Sequence, residues 1–344
     1  MATPYRYTKP IAKKAASGRV AAVYAQIAAE FILADGPLMS LSPAPETLAA
    51  TWALLREAQL AGQAPRVDKE VVAAAVSAAN GCQFCVDAHV ALVHAAGAHH
   101  LAEAIWRGEP SDDANAAMLV AWAKATARSD ARIAPPFPTE LAAEYLGTAL
   151  VTHFINRMVD ALLNGKLLPG RLQESALVRR VAGRALGRTV RLQPPPGESL
   201  PLVADLRFGA PPAWAGNTPI GQAYVALRRA GAGGGDLLGD AARDRVLTTI
   251  AGWNGEAAPM DDALADALAG LHGGDRAGVR LALLAAVDPH RVADADVAAW
   301  REFHPADADL IRMLAFGAMA AVERIATWTT IAARPAASLA VAGG

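Results

Sequence analysis

Apolar residues recur every three to four positions through long stretches of this 344-residue chain, and no convincing run alternates apolar with polar residues between turn signals. That spacing lines one face of a helix, whereas a half-buried strand needs a period of two. Segments 20–32, 46–60, 67–79, 83–96, 113–127, 140–163, 241–253, 276–287 and 307–331 read as helices. Pro135-Pro136-Phe137-Pro138, Pro194-Pro195-Pro196-Gly197 and Pro211-Pro212 interrupt them. Proline lacks the backbone N–H and clashes with the preceding helical turn, so such clusters mark breaks. The expected fold class is all-α.

Hydrophobic residues make up 53% of the chain and charged residues 19%, enough apolar material for a buried core. The net charge of -1 offers no electrostatic attraction for nucleic acid. Two cysteines cannot staple a secreted scaffold, so a reducing cytoplasm is the expected compartment. The basic N-terminus (Arg6, Lys9, Lys13, Lys14, Arg19) runs into an apolar stretch that Gln26 and Glu30 interrupt. Tyr24, Ile27, Phe31 and Ile32 recur there at helical spacing, which reads as an amphipathic helix of the mature protein and not a secretion signal. No apolar run reaches the roughly 18 residues of a spanning helix, so the chain is expected to be soluble, with no membrane partner.

The length suggests about two domains. The expected division is 1–163, an Arg- and Pro-rich linker at 164–217, and 218–344. Within the linker, Arg171, Arg179, Arg180, Arg184, Arg188 and Arg191 are concentrated, and Arg180, Arg184 and Arg188 would share a helix face at i, i+4 spacing. The two flanking blocks echo each other. Ala79-Asn80-Gly81 matches Trp253-Asn254-Gly255, and Glu70 precedes Asn80 by the same interval as Asp244 precedes Asn254. Ile155-Asn156-Arg157-Met158 has a weaker echo in Val322-Glu323-Arg324-Ile325. In the second copy Cys82, Cys85 and His89 become Glu256, Pro259 and Ala263, so that copy is expected to keep packing and lack reactive groups.

Both cysteines lie in one run, Asn80-Gly81-Cys82-Gln83-Phe84-Cys85-Val86-Asp87-Ala88-His89. Asn80-Gly81 is a helix stop, because glycine takes the left-handed C-terminal conformation. A new helix beginning near Cys82 would place both thiols at its positive end, where thiolate is stabilised over thiol. At about 100° per residue Cys82, Cys85 and His89 fall within an arc of about 60°. His89 could take a thiol proton across the i, i+4 interval, and the same geometry would suit a metal. In an antiparallel hairpin about Gly81, Glu70 and His89 would stand at nearly equal heights at about 1.5 Å per residue. A carboxylate there could orient the imidazole and hold its proton. His153, Asn156 and Arg157 share a face farther along, suited to lining a pocket or to hydrogen bonding between helices. His94, His99 and His100 read as ordinary polar positions.

Glu70, Cys82, Cys85 and His89 spell E-x11-C-x2-C-x3-H. With Val67-Asp68-Lys69-Glu70, Ser77-Ala78-Ala79-Asn80 and the helix around Val23-Tyr24-Ala25-Gln26-Ile27, this resembles the alkylhydroperoxidase D-like branch of the carboxymuconolactone decarboxylase family. The resemblance covers 17–163 well and 218–331 faintly. It implies an alkylhydroperoxidase D-like helical bundle, internally duplicated here, and a thiol-dependent peroxidase or thiol–disulfide oxidoreductase. Cys85 would attack a peroxide, Cys82 would resolve the sulfenic acid to a disulfide, His89 would act as base, and Glu70 would relay its proton. The implied partners are a peroxide or disulfide substrate, an external dithiol (a lipoyl group or a thioredoxin-like protein) and further copies in a homo-oligomer, with no cofactor and no metal. Family members often carry a histidine before the second cysteine, where this chain has Phe84. Two alternatives stand beside this reading. One is a non-redox carboxymuconolactone decarboxylase-like enzyme using His89, and the other is a metal-stabilised scaffold.

Overall fold

Wherever the 3.6-residue pattern is strong, the chain is helical in the computed structural model, which describes residues 4–31, 35–164, 175–256 and 260–332. The first block holds α1 (Gly18–Glu30), α2 (Asp35–Met39), α3 (Pro45–Leu55), α4 (Arg66–Ala79), α5 (Gln83–Ala95), α6 (His99–Arg107), α7 (Ala114–Ala125) and α8 (Ala142–Leu162). Two short helices follow, α9 (Ala176–Ala185) and α10 (Gly187–Arg191). The second block holds α11 (Pro219–Ala232), α12 (Asp240–Gly252), α13 (Met260–Leu268), α14 (Gly273–Val287), α15 (Asp294–Arg301) and α16 (Asp307–Ala332). Among the described residues extended pairing is limited to one antiparallel bridge, Tyr5 with Leu163. The protein is all-α. No helix among the described residues is long and apolar enough to cross a membrane.

The segment expected as one helix over 46–60 changes character at Leu55. Its last five residues, Arg56–Leu60, form a π-helical turn. Arg56, Glu57 and Gln59 are all buried there, an expense met by partners. Arg56 donates to Glu30 (Nε–Oε2, 2.7 Å) and to Glu57 (2.9 Å). Glu57 in turn accepts from the backbone N–H of Gly197 (2.6 Å) and the hydroxyl of Ser199 (2.6 Å), clamping the proline cluster onto the bundle. Gln26, the other polar interruption of the apolar stretch in α1, accepts from the Trp52 indole at 2.7 Å. The two polar interruptions of the N-terminal helix are thus its docking points on α3 and the π turn.

Helices α8 and α16 pack on each other and on elements of both blocks. One apolar cluster runs from Val20 in α1 to Ile325 in α16, and a second, around Trp122 and Tyr145, lies inside the first block. Close crossing of α14 and α16 depends on Gly317, where an added Cβ would stand 1.8 Å from the Ala282 carbonyl oxygen. The Arg-rich stretch folds onto the first block through α9, which packs against α5. Arg179 is buried in an ion pair with Glu103, while Arg180, Arg184 and Arg188 are exposed, the last of them beyond the break between α9 and α10. Arg171 lies outside the described residues.

Candidate active site

Helix α4 stops where glycine allows it. Gly81 has φ +75°, its N–H bonds the Ala78 carbonyl (3.2 Å), and the Cys82 N–H bonds the Ser77 carbonyl (3.0 Å). These two bonds form a Schellman ending. The chain reverses and α5 begins at Gln83, with Cys82 at the N-cap and Cys85 in the first turn. The reversal is braced from α8. Asn80 Nδ2 donates to Asn156 Oδ1 (2.8 Å) and to His153 Nδ1 (3.1 Å), and Asn156 Nδ2 donates to Ser77 Oγ (3.1 Å). His153 is fully buried, and that burial, followed by the nearby Arg157 charge, keeps its pKa well below the ordinary value. A neutral ring accepts at Nδ1 and donates from Nε2 to Thr126 Oγ1 at 2.9 Å, which satisfies every member of the chain. Of the two roles open to His153, Asn156 and Arg157, hydrogen bonding between helices accounts for most of their contacts, although Asn156 also borders the pocket described next.

Across the hairpin Glu70 comes to His89. Glu70 Oε2 lies 2.7 Å from His89 Nδ1 and accepts from Gln59 Nε2 at 2.9 Å, while Oε1 accepts from Arg66 Nε at 2.6 Å. Burial opposes ionisation of Glu70, but the Arg66 charge and the His89 bond outweigh it and hold the pKa at about 2. An ionised carboxylate can only accept, so His89 carries its proton on Nδ1 and leaves Nε2 as the basic nitrogen.

The two sulfurs are 2.8 Å apart with neither cysteine in a disulfide, and they differ in access. Cys82 is wholly enclosed, while Cys85, at 5% exposure, and His89 line a pocket of about 50 Å³. Phe31, Leu38, Leu55, Phe84 and Leu92 make most of its wall, with Gln59 and Thr152 among its few polar groups. The volume is several times the about 10–15 Å³ that a single water requires. Burial, then the neighbouring Cys85 sulfur, then Asp160 push the Cys82 thiol well above its ordinary pKa. Cys82 therefore keeps its proton and donates it to Cys85 Sγ.

All four residues of the E-x11-C-x2-C-x3-H pattern are therefore gathered at one place. Arg66, Gln59 and Asp160 join them and were not singled out in the sequence. Arg66 stands four residues before Glu70, a spacing at which an ion pair could have been anticipated. Gln59 depends on the π turn, and Asp160 on the packing of α8, neither of which has a local sequence signal. His94 and His99 point elsewhere, joined by their Nδ1 atoms at 3.1 Å and tied through Glu103 to Arg179 on α9. Among the described residues no group of three or more His, Cys, Asp or Glu side chains is arranged to hold a metal ion. In the second copy Asp244 is exposed, Glu256 forms a surface pair with Arg128 (2.8 Å), and Pro259 lies outside the described residues.

The profile of the carboxymuconolactone decarboxylase family matches residues 45–131, which hold α3 to α7 and all four residues of the pattern. The chain is 40% identical over 334 residues to an alkyl hydroperoxide reductase of Mycobacterium tuberculosis, with 95% of each chain covered. No solved structure matches. The end-to-end match to a relative of the same span is consistent with an internally duplicated bundle. The chain belongs to the carboxymuconolactone decarboxylase family, as an alkylhydroperoxidase D-like member.

Proposed function

We propose that this protein is a thiol-dependent peroxidase that reduces organic hydroperoxides, with Cys85 as the attacking sulfur. One observation carries the reading: the pocket-lining member of a close dithiol opens into the same apolar pocket as a histidine already polarised by a buried carboxylate. His89 Nε2 takes the Cys85 proton. The thiolate attacks the terminal peroxide oxygen, the O–O bond breaks, and the leaving alkoxide recovers the proton from His89 as an alcohol. Cys85 is left as a sulfenic acid, which Cys82 attacks to form the disulfide with loss of water. An external dithiol, of lipoyl or thioredoxin-like type, then returns the pair to thiols. The apolar walls favour a small alkyl hydroperoxide over a charged substrate. The name of the mycobacterial relative supports the same class of reaction.

The test is mass spectrometry of the reduced protein after one equivalent of an alkyl hydroperoxide. The expected product is an intramolecular Cys82–Cys85 disulfide. Cys85→Ser should abolish peroxide consumption, and Cys82→Ser should stop at a trappable sulfenic acid on Cys85. Thiols that survive peroxide unchanged would sink the reading. Retention of full activity by the Cys82→Ala/Cys85→Ala double variant would instead favour non-redox acid–base chemistry by His89.

A further inference from the structure

The proposed peroxidase cycle has two thiol protons to move, and His89 stands in the pocket of only one sulfur. Cys82 is enclosed completely, and what faces its thiol from α8 is the carboxyl of Asp160. Asp160 is itself more than nine-tenths buried, and its Oδ2 accepts no well-formed hydrogen bond among the described residues. From the second block, His290 places Nε2 3.4 Å from Oδ2. Beyond Asp160 lies a second cavity of about 290 Å³, bounded by Gly81, Asn156, Arg157, Trp253, Asp288 and His290. Cys85 and His89 do not line this cavity, and Cys82 does not line the peroxide pocket.

We infer that Asp160 is a catalytic residue of the resolving step, accepting the Cys82 proton as that sulfur attacks the Cys85 sulfenic acid and passing it to the solvent of the second cavity beside His290. This rests on the peroxidase reading above. In the step an S–S bond forms and the S–OH bond of Cys85 breaks. The Cys82 proton goes to the Asp160 carboxylate, the departing hydroxide takes a proton from solvent in the peroxide pocket, and Asp160 releases its own, so one water is the net product. A thiol whose pKa has been raised by burial has little thiolate of its own, which is why the step needs a base at hand. Each sulfur then has a separate proton route on a separate face of the hairpin, and the second block, which has lost its own cysteines, supplies part of the second route.

The charged groups around Asp160 set its titration. Burial raises it to about 6, opposed by the Cys82 thiol beside it, by His290 from the Pro289–Arg291 turn and by Arg157 from its own helix. Arg157 is itself tied to the Ala286 and His153 carbonyls, Arg6 of the N-terminal segment reaches the Asp160 backbone carbonyl, and Asp288 borders the same cavity. Disulfide closure in the wild-type chain should therefore accelerate as pH rises through about 6.

The experiment is single-turnover quench of the full-length reduced chain with one equivalent of cumene hydroperoxide, a dimedone-type sulfenic acid trap and mass spectrometry. Asp160→Asn should form the Cys85 sulfenic acid at the wild-type rate but close the disulfide at least tenfold more slowly, with trapped sulfenic acid accumulating and the pH inflection gone. His290→Ala, at a half-exposed position, should move the inflection to higher pH. Closure of Asp160→Asn at the wild-type rate and pH profile overturns the proposal, as does an inflection that His290→Ala leaves in place. If peroxide oxidises neither protein, the peroxidase reading falls by itself. Closure driven by diamide, which needs no peroxide, then decides on Asp160: slowed in the Asn variant if it accepts the Cys82 proton, equal if it does not.

Discussion

Glu70 is an anion without solvent, held ionised by Arg66 and by the His89 Nδ1–H. Its folded pKa of about 2 lies below the ordinary 4.5, so the unfolded chain binds the proton more readily. The stability it contributes is therefore complete above pH 4.5 and is lost as pH falls toward 2. At about 1.4 kcal/mol per pKa unit this is on the order of 3 kcal/mol. Glu70→Gln should accordingly be less stable than wild type at pH 7 in urea denaturation, with the gap narrowing at pH 3. A gap of equal size at both pH values would contradict this account. The Cys82, Cys85 and His89 spacing and the level of Glu70 across the turn were legible in the chain because a helix and a reversal convert spacing directly into position. Arg66 was legible in principle. Asp160 was not, because its meaning comes from a thiol 78 residues away in sequence and a histidine 130 residues beyond it.

At the scale of elements, the hairpin between α4 and α5 sets the geometry of the candidate site, and Gly81 is its hinge. A Cβ there meets only the His290 ring at 3.7 Å, so the obstacle to substitution is φ +75° and not space. Gly81→Ala should cost about 1–2 kcal/mol, read as a fall in the urea midpoint, through backbone strain alone. A wild-type midpoint would show that the turn relaxes without loss. The Asn-Gly stop and the two helices around it were readable because capping chemistry is local. The π turn at Arg56–Leu60 was not: the apolar spacing continues through it, and it is stabilised by distant partners, Glu30, Gly197 and Ser199. Helices α2, α6, α11, α13 and α15 likewise lie outside the segments whose apolar spacing reads as helical.

The whole molecule depends on how closely its two halves cross. Because one apolar cluster includes α1, α8, α11, α14 and α16, unfolding should be a single transition reported alike by tryptophans of both blocks. Gly317→Ala places a methyl group against the Ala282 carbonyl, and overpacking of this kind should cost about 3 kcal/mol or more. Denaturant melts of that variant followed at Trp122 and Trp300 should move together. Separate midpoints would mean that the halves are energetically independent. The sequence by itself determined the helical class, the ends of the long helices and the alignment of Glu70, Cys82, Cys85 and His89, because each follows from dihedral preference and repeat distance along a few turns of chain. Tertiary structure decided which sulfur meets the pocket, which groups hold Glu70 ionised, and that His290 of the second block stands over the carboxylate facing Cys82. Those are questions of burial and electrostatics, and a side chain's dielectric surroundings are set by whatever packs against it, however far away in the chain.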